Sequence, residues 1–219
     1  MNTKAIRTRI FKEHEPLARF IRAYVKKIPE KSVLVVASKI VALSEGRTGK
    51  AKHLPMRLTM TDHMLMANAG IDESNANGKL ILLPKDSYTS AARLRKELKK
   101  MCKLKKLGVV ISDSSIAPLR AGVTAHALGY AGIKGVRDYR GTKDLFGRKM
   151  KISRTNVVDS LATAAALAMG EGGERQPLAL ITDAPVEFVE KINLNETRIN
   201  PKDDLYWPIL KNIKKGTGA

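Results

Sequence analysis

The sequence predicts an α+β chain, with strands and helices interspersed along its length. Three observations carry this. Continuous apolar runs, SVLVVAS (32–38), LGVVIS (107–112) and PLALITD (177–183), have the length and composition of buried strands. Other segments place their apolar residues on one helical face. Strand-like and helix-like segments do not alternate with the even spacing of a βαβ chain.

Taken in order, HEPLARFIRAYVKK sets Leu17, Phe20, Ile21, Tyr24 and Val25 on one helical stripe, with Pro16 at a first-turn position. SVLVVAS follows as a buried strand and runs directly into KIVALSEGR, where polar and small residues appear. TGKAKHLPMR (48–57) reads as a surface loop, and LTMTDHMLMANAG as strands with a turn near Thr61–His63. IDESNANG is a loop of turn-forming residues, and KLILLP a short strand. Asp86 or Ser87 caps a helix to about Lys100, with Ala91, Leu94, Leu98 and Met101 on one face and basic residues opposite. LGVVIS is a strand ending near Asp113, followed by a glycine-punctuated segment. NVVDSLATAAALAMG is a small-residue helix that Gly170 stops. PLALITD is the last strand, and the tail is expected to pack through Tyr206, Trp207 and Ile209 before fraying.

With 219 residues and 43% hydrophobic content, the chain suits one domain, 1–219, with enough material for two lobes. No apolar run reaches the ~18–20 residues of a membrane helix, and the N-terminus carries no apolar leader. A single cysteine, Cys102, excludes an intrachain disulfide. A cytoplasmic location is the expectation. The net charge of +19 attracts polyanions, while the 5% aromatic content leaves few stacking platforms for bases. The charge is expected to funnel anionic ligands into a cleft, and specific nucleic-acid binding is not expected.

The familiar phosphate-loop, dinucleotide and nucleophile-elbow signatures are missing. His14, His53, His63 and His126 show no metal-ligand spacing. Two positions stand out instead: Asp72, in a tight loop, and Asp113 with Ser114, at the end of an apolar strand. Oxygen donors of this kind suit magnesium, which commonly takes one or two carboxylates plus substrate phosphates. By spacing alone, the reading of both aspartates as turn caps prevails. The glycine-rich Met169–Gly170–Glu171–Gly172–Gly173 offers backbone amides to a nucleotide, or simply ends a helix.

Several segments together resemble the coenzyme F-420:L-glutamate ligase family of gamma-glutamyl ligases. They are VLVVASKIVALSEGR (33–47), NAGIDESN (68–75), LLPKDSYTSAARLRKEL (82–98), VVISDS (109–114), ALGYAGIKGVRDYRGTKDLFGR (127–148) and VVDSLATAAALAMGEG (157–172). The LARFI start, DYRGTKDLFGR and ERQPLALITDAPVEF are similar to a branch associated with folate metabolism. The resemblance implies mixed sheets with packed helices, an intertwined homodimer, and addition of L-glutamate to an anionic, carboxylate-bearing cofactor. GTP, or alternatively ATP, would drive the reaction with magnesium or manganese. It implies Asp72 and Asp113 as metal ligands with catalytic roles, and Ser114 as a third metal ligand where threonine is common. It implies nucleotide contacts at Ser38, Lys39, Asn75 and the 169–173 segment. Arg120, as a catalytic residue, joins Arg140 and Arg148 as candidates for holding substrate carboxylates, although Arg140 and Arg148 equally suit local pairs with Asp138 and Asp144.

The chain also departs from the family. Leu43 stands where a lysine is common, Ala125 replaces a glycine, and the connection at 48–65 is short. These departures keep a second reading open, a non-catalytic basic module that binds nucleotide or nucleic acid on a ligase-like scaffold.

Overall fold

A computed structural model describes residues 1–50, 57–61 and 64–213. In chain order the elements are β1 (Asn2–Ile6), α1 (Leu17–Tyr24), β2 (Ser32–Ala37), α2 (Ser38–Ser44), β3 (Thr48–Lys50), β4 (Leu58–Thr61), β5 (Met64–Ala67) and β6 (Lys79–Ile81). There follow α3 (Ser87–Cys102), β7 (Leu107–Ile116), β8 (Val123–Ala131), β9 (Val136–Asp138), β10 (Arg154–Asn156), α4 (Val157–Met169), β11 (Leu178–Thr182) and α5 (Trp207–Leu210). The fold is α+β, built on a mixed five-stranded sheet of order β1-β11-β2-β7-β8. Within that sheet β2 and β7 run parallel, while the β1–β11, β11–β2 and β7–β8 pairs are antiparallel. The pairs β3–β6, β4–β5 and β9–β10 form small antiparallel ribbons.

The central strands are apolar on both faces because helices cover both. On one side Leu34, Val36, Val109 and Ile111 pack against Phe20 and Ile21 of α1, Ile40 and Val41 of α2, and Leu94 and Leu98 of α3. On the other, Val33, Val35, Val110 and Tyr130 meet Val158, Leu161, Ala162 and Ala165 of α4. Ala162 and Ala165 of α4 are fully buried, so small residues on that face allow a close approach to the sheet. Helix α3 starts as its sequence suggests. The Asp86 carboxylate accepts from the Thr89 backbone N–H at 3.0 Å and the Thr89 hydroxyl at 2.6 Å, and Lys103 ends the helix in a left-handed conformation. Gly129 lets β8 pass beneath this helix start, since a Cβ there would lie 2.4 Å from the carbonyl carbon of Ser87.

Several expectations are corrected. SKIVALS, to which the sequence reading assigned no helix, forms α2, entering the helix directly from β2 and burying Ile40 and Val41. Thr48–Lys50, within the expected loop, pairs with β6; residues 51–56 of that stretch lie outside the described residues. The β4–β5 ribbon matches the expected strands, while Asp62 and His63 of the expected turn lie outside the described residues. Strand β7 continues past Asp113 to Ile116, because the glycine-punctuated segment supplies β8 as a hairpin partner. Residues 2–6 form an edge strand that the sequence reading missed. In the tail, Tyr206 and Ile209 are 53% and 71% exposed, so they do not pack as expected. The fraying expected at 214–219 lies outside the described residues. No described helix is long and apolar enough to cross a membrane.

Candidate functional site

Parallel pairing sets the C-terminal ends of β2 and β7 side by side, with Ala37 opposite Ser112. The next residues are Ser38, which opens α2, and Asp113. The Ser38 hydroxyl donates to Asp113 Oδ1 at 2.8 Å. The second aspartate arrives on the loop before β6. Asp72 and Ile81 exchange both backbone hydrogen bonds, at 2.9 and 2.8 Å, which pins the loop start. Asp72 Oδ1 then accepts from the Ser74 N–H at 2.6 Å, closing an Asx turn. Lys39, one residue into α2, joins the two segments. Its Nζ lies 2.8 Å from Asp72 Oδ2 and donates to the Ser74 carbonyl at 2.7 Å and the Ser74 hydroxyl at 3.2 Å.

A third segment closes the network after α4. The Ser114 hydroxyl donates to both carboxylate oxygens of Glu171, at 3.0 and 2.9 Å. Asn75, with a positive φ, donates from Nδ2 to the Gly172 carbonyl at 3.4 Å. Met169 is buried at the helix end, and the left-handed Gly170 caps it. A Cβ on Gly170 would collide with the Glu174 carboxylate, which accepts the Gly172 N–H at 2.8 Å. Around Gly173 the space is open. Ser38, Lys39, Asp72, Asn75, Asp113, Ser114, Glu171 and Gly172 thus meet, although they come from distant stretches of chain.

The electrostatics are unequal. Burial pushes the Asp113 carboxyl up, the Ser38 hydroxyl opposes this, and the negative charge of Asp72 adds to it, so its pKa rises to about 6. Asp72 is also raised by burial, but the Lys39 ammonium and Ser74 outweigh this and hold it below the usual carboxylate range. Two neighbouring carboxylates, one destabilised as an anion, form an oxygen-donor site that a cation would relieve. A hard divalent cation fits this donor set. Among the described residues no group of three His, Cys, Asp or Glu could hold a metal, so further oxygens would come from hydroxyl, ligand or water.

Other candidates lie apart. Arg120 is exposed on the connection between β7 and β8, where its N–H reaches the Ala117 carbonyl at 3.3 Å. Among the described residues it forms no ion pair with Asp72 or Asp113. Arg140 pairs with Asp138 at 2.5 Å and Arg148 with Asp144 at 3.1 Å, so the alternative of local turn pairs holds for both. Leu43 packs against the core beneath α1, and the ammonium near Asp72 comes from Lys39, one helical turn earlier. Sequence reasoning missed Ser74, which the D-x-S spacing of an Asx turn could have signalled. It also gave no weight to the pairing of His126 opposite Asp113. Burial lowers the His126 pKa against the opposing charge of Asp159, and its Nε2 has no hydrogen-bond partner among the described residues. A separate cleft of about 640 Å³ lies beside the free edge of β8, lined by Lys85, Ser87, Tyr88, Tyr130, Asp159 and Arg198 among others, and contains none of the predicted site residues.

A family model described as F420-0:Gamma-glutamyl ligase matches residues 52–183. The coenzyme F420:L-glutamate ligase of Methanocaldococcus jannaschii is 42% identical over 132 residues, covering 60% of this chain and 53% of the relative. The protein of the same name from Methanococcus maripaludis is 41% identical over 134 residues, covering 61% and 54%. That of Archaeoglobus fulgidus is 31% identical over 208 residues, covering 78% and 83%. The aligned region thus spans about half the length of the first two relatives and most of the third.

Proposed function

Because the chain belongs to the F420-0:gamma-glutamyl ligase family, we propose that it joins L-glutamate to a carboxylate of an anionic cofactor, spending a nucleoside triphosphate. The single observation that carries this reading is the convergence of Asp72 and Asp113, from separate segments, beside Ser38, Lys39, Asn75 and Glu171–Gly172. The description of the family supports the acceptor F420-0; the likeness of some segments to the folate-associated branch makes a reduced folate the other acceptor to assay.

A carboxylate does not accept an amine at neutral pH, because it has no good leaving group. In the proposed reaction an acceptor carboxylate oxygen attacks the γ-phosphorus, and the nucleoside diphosphate departs. The amine of glutamate then attacks the acyl carbon, inorganic phosphate leaves, and the nitrogen loses a proton. Magnesium or manganese, held by Asp72 and Asp113 with Ser114 at the rim, would offset charge on the phosphate oxygens.

The chain's own groups have definite tasks. Ser38 orients the Asp113 carboxylate through its 2.8 Å hydrogen bond. Lys39 fixes Asp72 and contributes positive charge where the triphosphate is proposed to lie. The 172–173 glycines let a nucleotide approach the backbone without side-chain obstruction. GTP is the proposed nucleotide and ATP the competitor to compare. We also propose a homodimer. Leu145, Phe146 and Ile152 are 98%, 84% and 85% exposed, which favours burial against a second copy.

Titration with GTP in the presence and absence of magnesium tests the site. The reading expects one saturable, metal-dependent site that Asp113→Asn removes from a folded protein. Unchanged affinity in that variant would overturn the assignment.

A further inference from the structure

The basic residues do not all gather around the two aspartates. The loop between α1 and β2 carries exposed Lys26, Lys27 and Lys31, and the loop between α3 and β7 carries exposed Lys103, Lys105 and Lys106. The two loops touch. The Glu30 carboxylate accepts the backbone N–H groups of Lys105 and Lys106 at 2.6 and 2.9 Å, and the Lys31 N–H reaches the Lys106 carbonyl at 3.0 Å. Lys96 and Lys100, both exposed, extend the cluster along α3 at a spacing of four residues that keeps them on one face. Against these eight lysines stand Glu30 and Glu97. None of the eight forms an ion pair within 4 Å among the described residues.

This cluster lies at the wrong end of the sheet to serve the candidate site. It surrounds the starts of β2 and β7, whereas Ser38 and Asp113 sit beyond their last parallel pair. Asp113 lies six steps along the strand from Leu107, roughly 20 Å at about 3.3 Å per residue. The Debye length at physiological ionic strength is about 8 Å, so salt screens most of this charge from the site. The helix dipole accounts for Lys99 and Lys100 in the last turn of α3. It does not account for three lysines arriving from another loop.

We propose that this basic pole is a sequence-independent docking surface for duplex nucleic acid, held through the phosphate backbone. Neutralising phosphates requires only cations presented together on a surface. The six loop lysines have no aromatic residue among them, so the surface lacks the stacking groups that capture single strands. Stable attachment to a lipid surface needs an apolar anchor beside the basic charge. Among the described residues, the one large exposed apolar residue beside the loops is Met101, at 46% exposure.

The test uses the full chain and a short labelled DNA duplex, with binding followed by fluorescence anisotropy between about 50 and 200 mM salt. The logarithm of the association constant should fall linearly with log salt, with a slope of about −4 to −7. Combining Lys26→Gln, Lys27→Gln, Lys103→Gln and Lys105→Gln should reduce the slope by about 3–4 in magnitude. A matched variant, Lys143→Gln, Lys149→Gln, Lys151→Gln and Lys202→Gln, removes the same charge elsewhere and should change it by about 1 or less. Circular dichroism checks that both variants are folded, and both should retain GTP binding with magnesium. Equal loss in the two variants would overturn the proposal in favour of diffuse attraction to the whole chain. So would absence of duplex binding, or binding to phosphatidylserine vesicles alone that the first variant abolishes.

Discussion

At the scale of single residues, Asp113 is the group most at odds with its surroundings. Its carboxyl titrates near 6 in the folded chain, against an ordinary value of 3.8. Below 3.8 the folded and unfolded forms are both protonated, and the stabilising contribution of the folded proton is complete. As pH rises through about 6 the folded carboxyl must ionise beside Asp72, and that contribution is lost. With no metal added, Asp113→Asn should therefore melt close to the wild type at pH 4 and a few degrees above it at pH 8. Comparing the two proteins at each pH cancels the carboxylates whose pKa is lowered, such as Glu190 and Asp138. Thermal unfolding across this range checks the sign, and a constant difference between the proteins would contradict it. Lys39 offers a second test. Its pair with Asp72 is partly exposed, so Lys39→Met should cost about 1 kcal/mol of stability or less. Losing the ammonium should nevertheless weaken metal-dependent GTP binding by about tenfold or more, since hydrogen bonds to charged groups contribute about 1.5–3 kcal/mol. Urea denaturation and a GTP titration separate the two effects.

At the scale of elements, the contact between β8 and the start of α3 constrains the sheet edge. Gly129→Ala would press a methyl group into the backbone of Ser87 and Tyr88. It should destabilise the chain by about 1–3 kcal/mol, as overpacking does, and urea denaturation measures this. Gly129 also shows why β8 escaped the sequence reading. A glycine and a register shift between Ile111 and Ser112 break the alternation that would mark a strand. Strands β2 and β7 were legible because burial on both faces leaves a continuous apolar run, and α3 because sixteen residues give its period room to appear. Helix α2 has seven residues, too few for a clear period, and its small polar ends resemble a turn. The candidate site was half legible. Asp72 and Asp113 stood out by their places in a tight loop and at a strand end, and the resemblance added their roles, but the Lys39–Asp72 and Ser114–Glu171 contacts depend on strand register and on where α4 ends. Neither is written in local sequence.

For the whole molecule, the exposed Leu145, Phe146 and Ile152 bear on assembly. Light scattering at micromolar concentration should give about twice the chain mass of 24.1 kDa, and a species of 24.1 kDa alone would contradict the homodimer. The central claim is that converging aspartates, lysine and glycine-rich segment serve a glutamate ligation. The most direct measurement incubates the protein with F420-0, L-glutamate, GTP and magnesium, and follows the acceptor by mass spectrometry together with GDP release. The account predicts an acceptor heavier by one glutamyl residue, one GDP formed per addition, and neither product with Asp113→Asn. GTP binding without any glutamyl product, from F420-0 or from a reduced folate assayed in parallel, would contradict it and leave a nucleotide-binding module on a ligase scaffold.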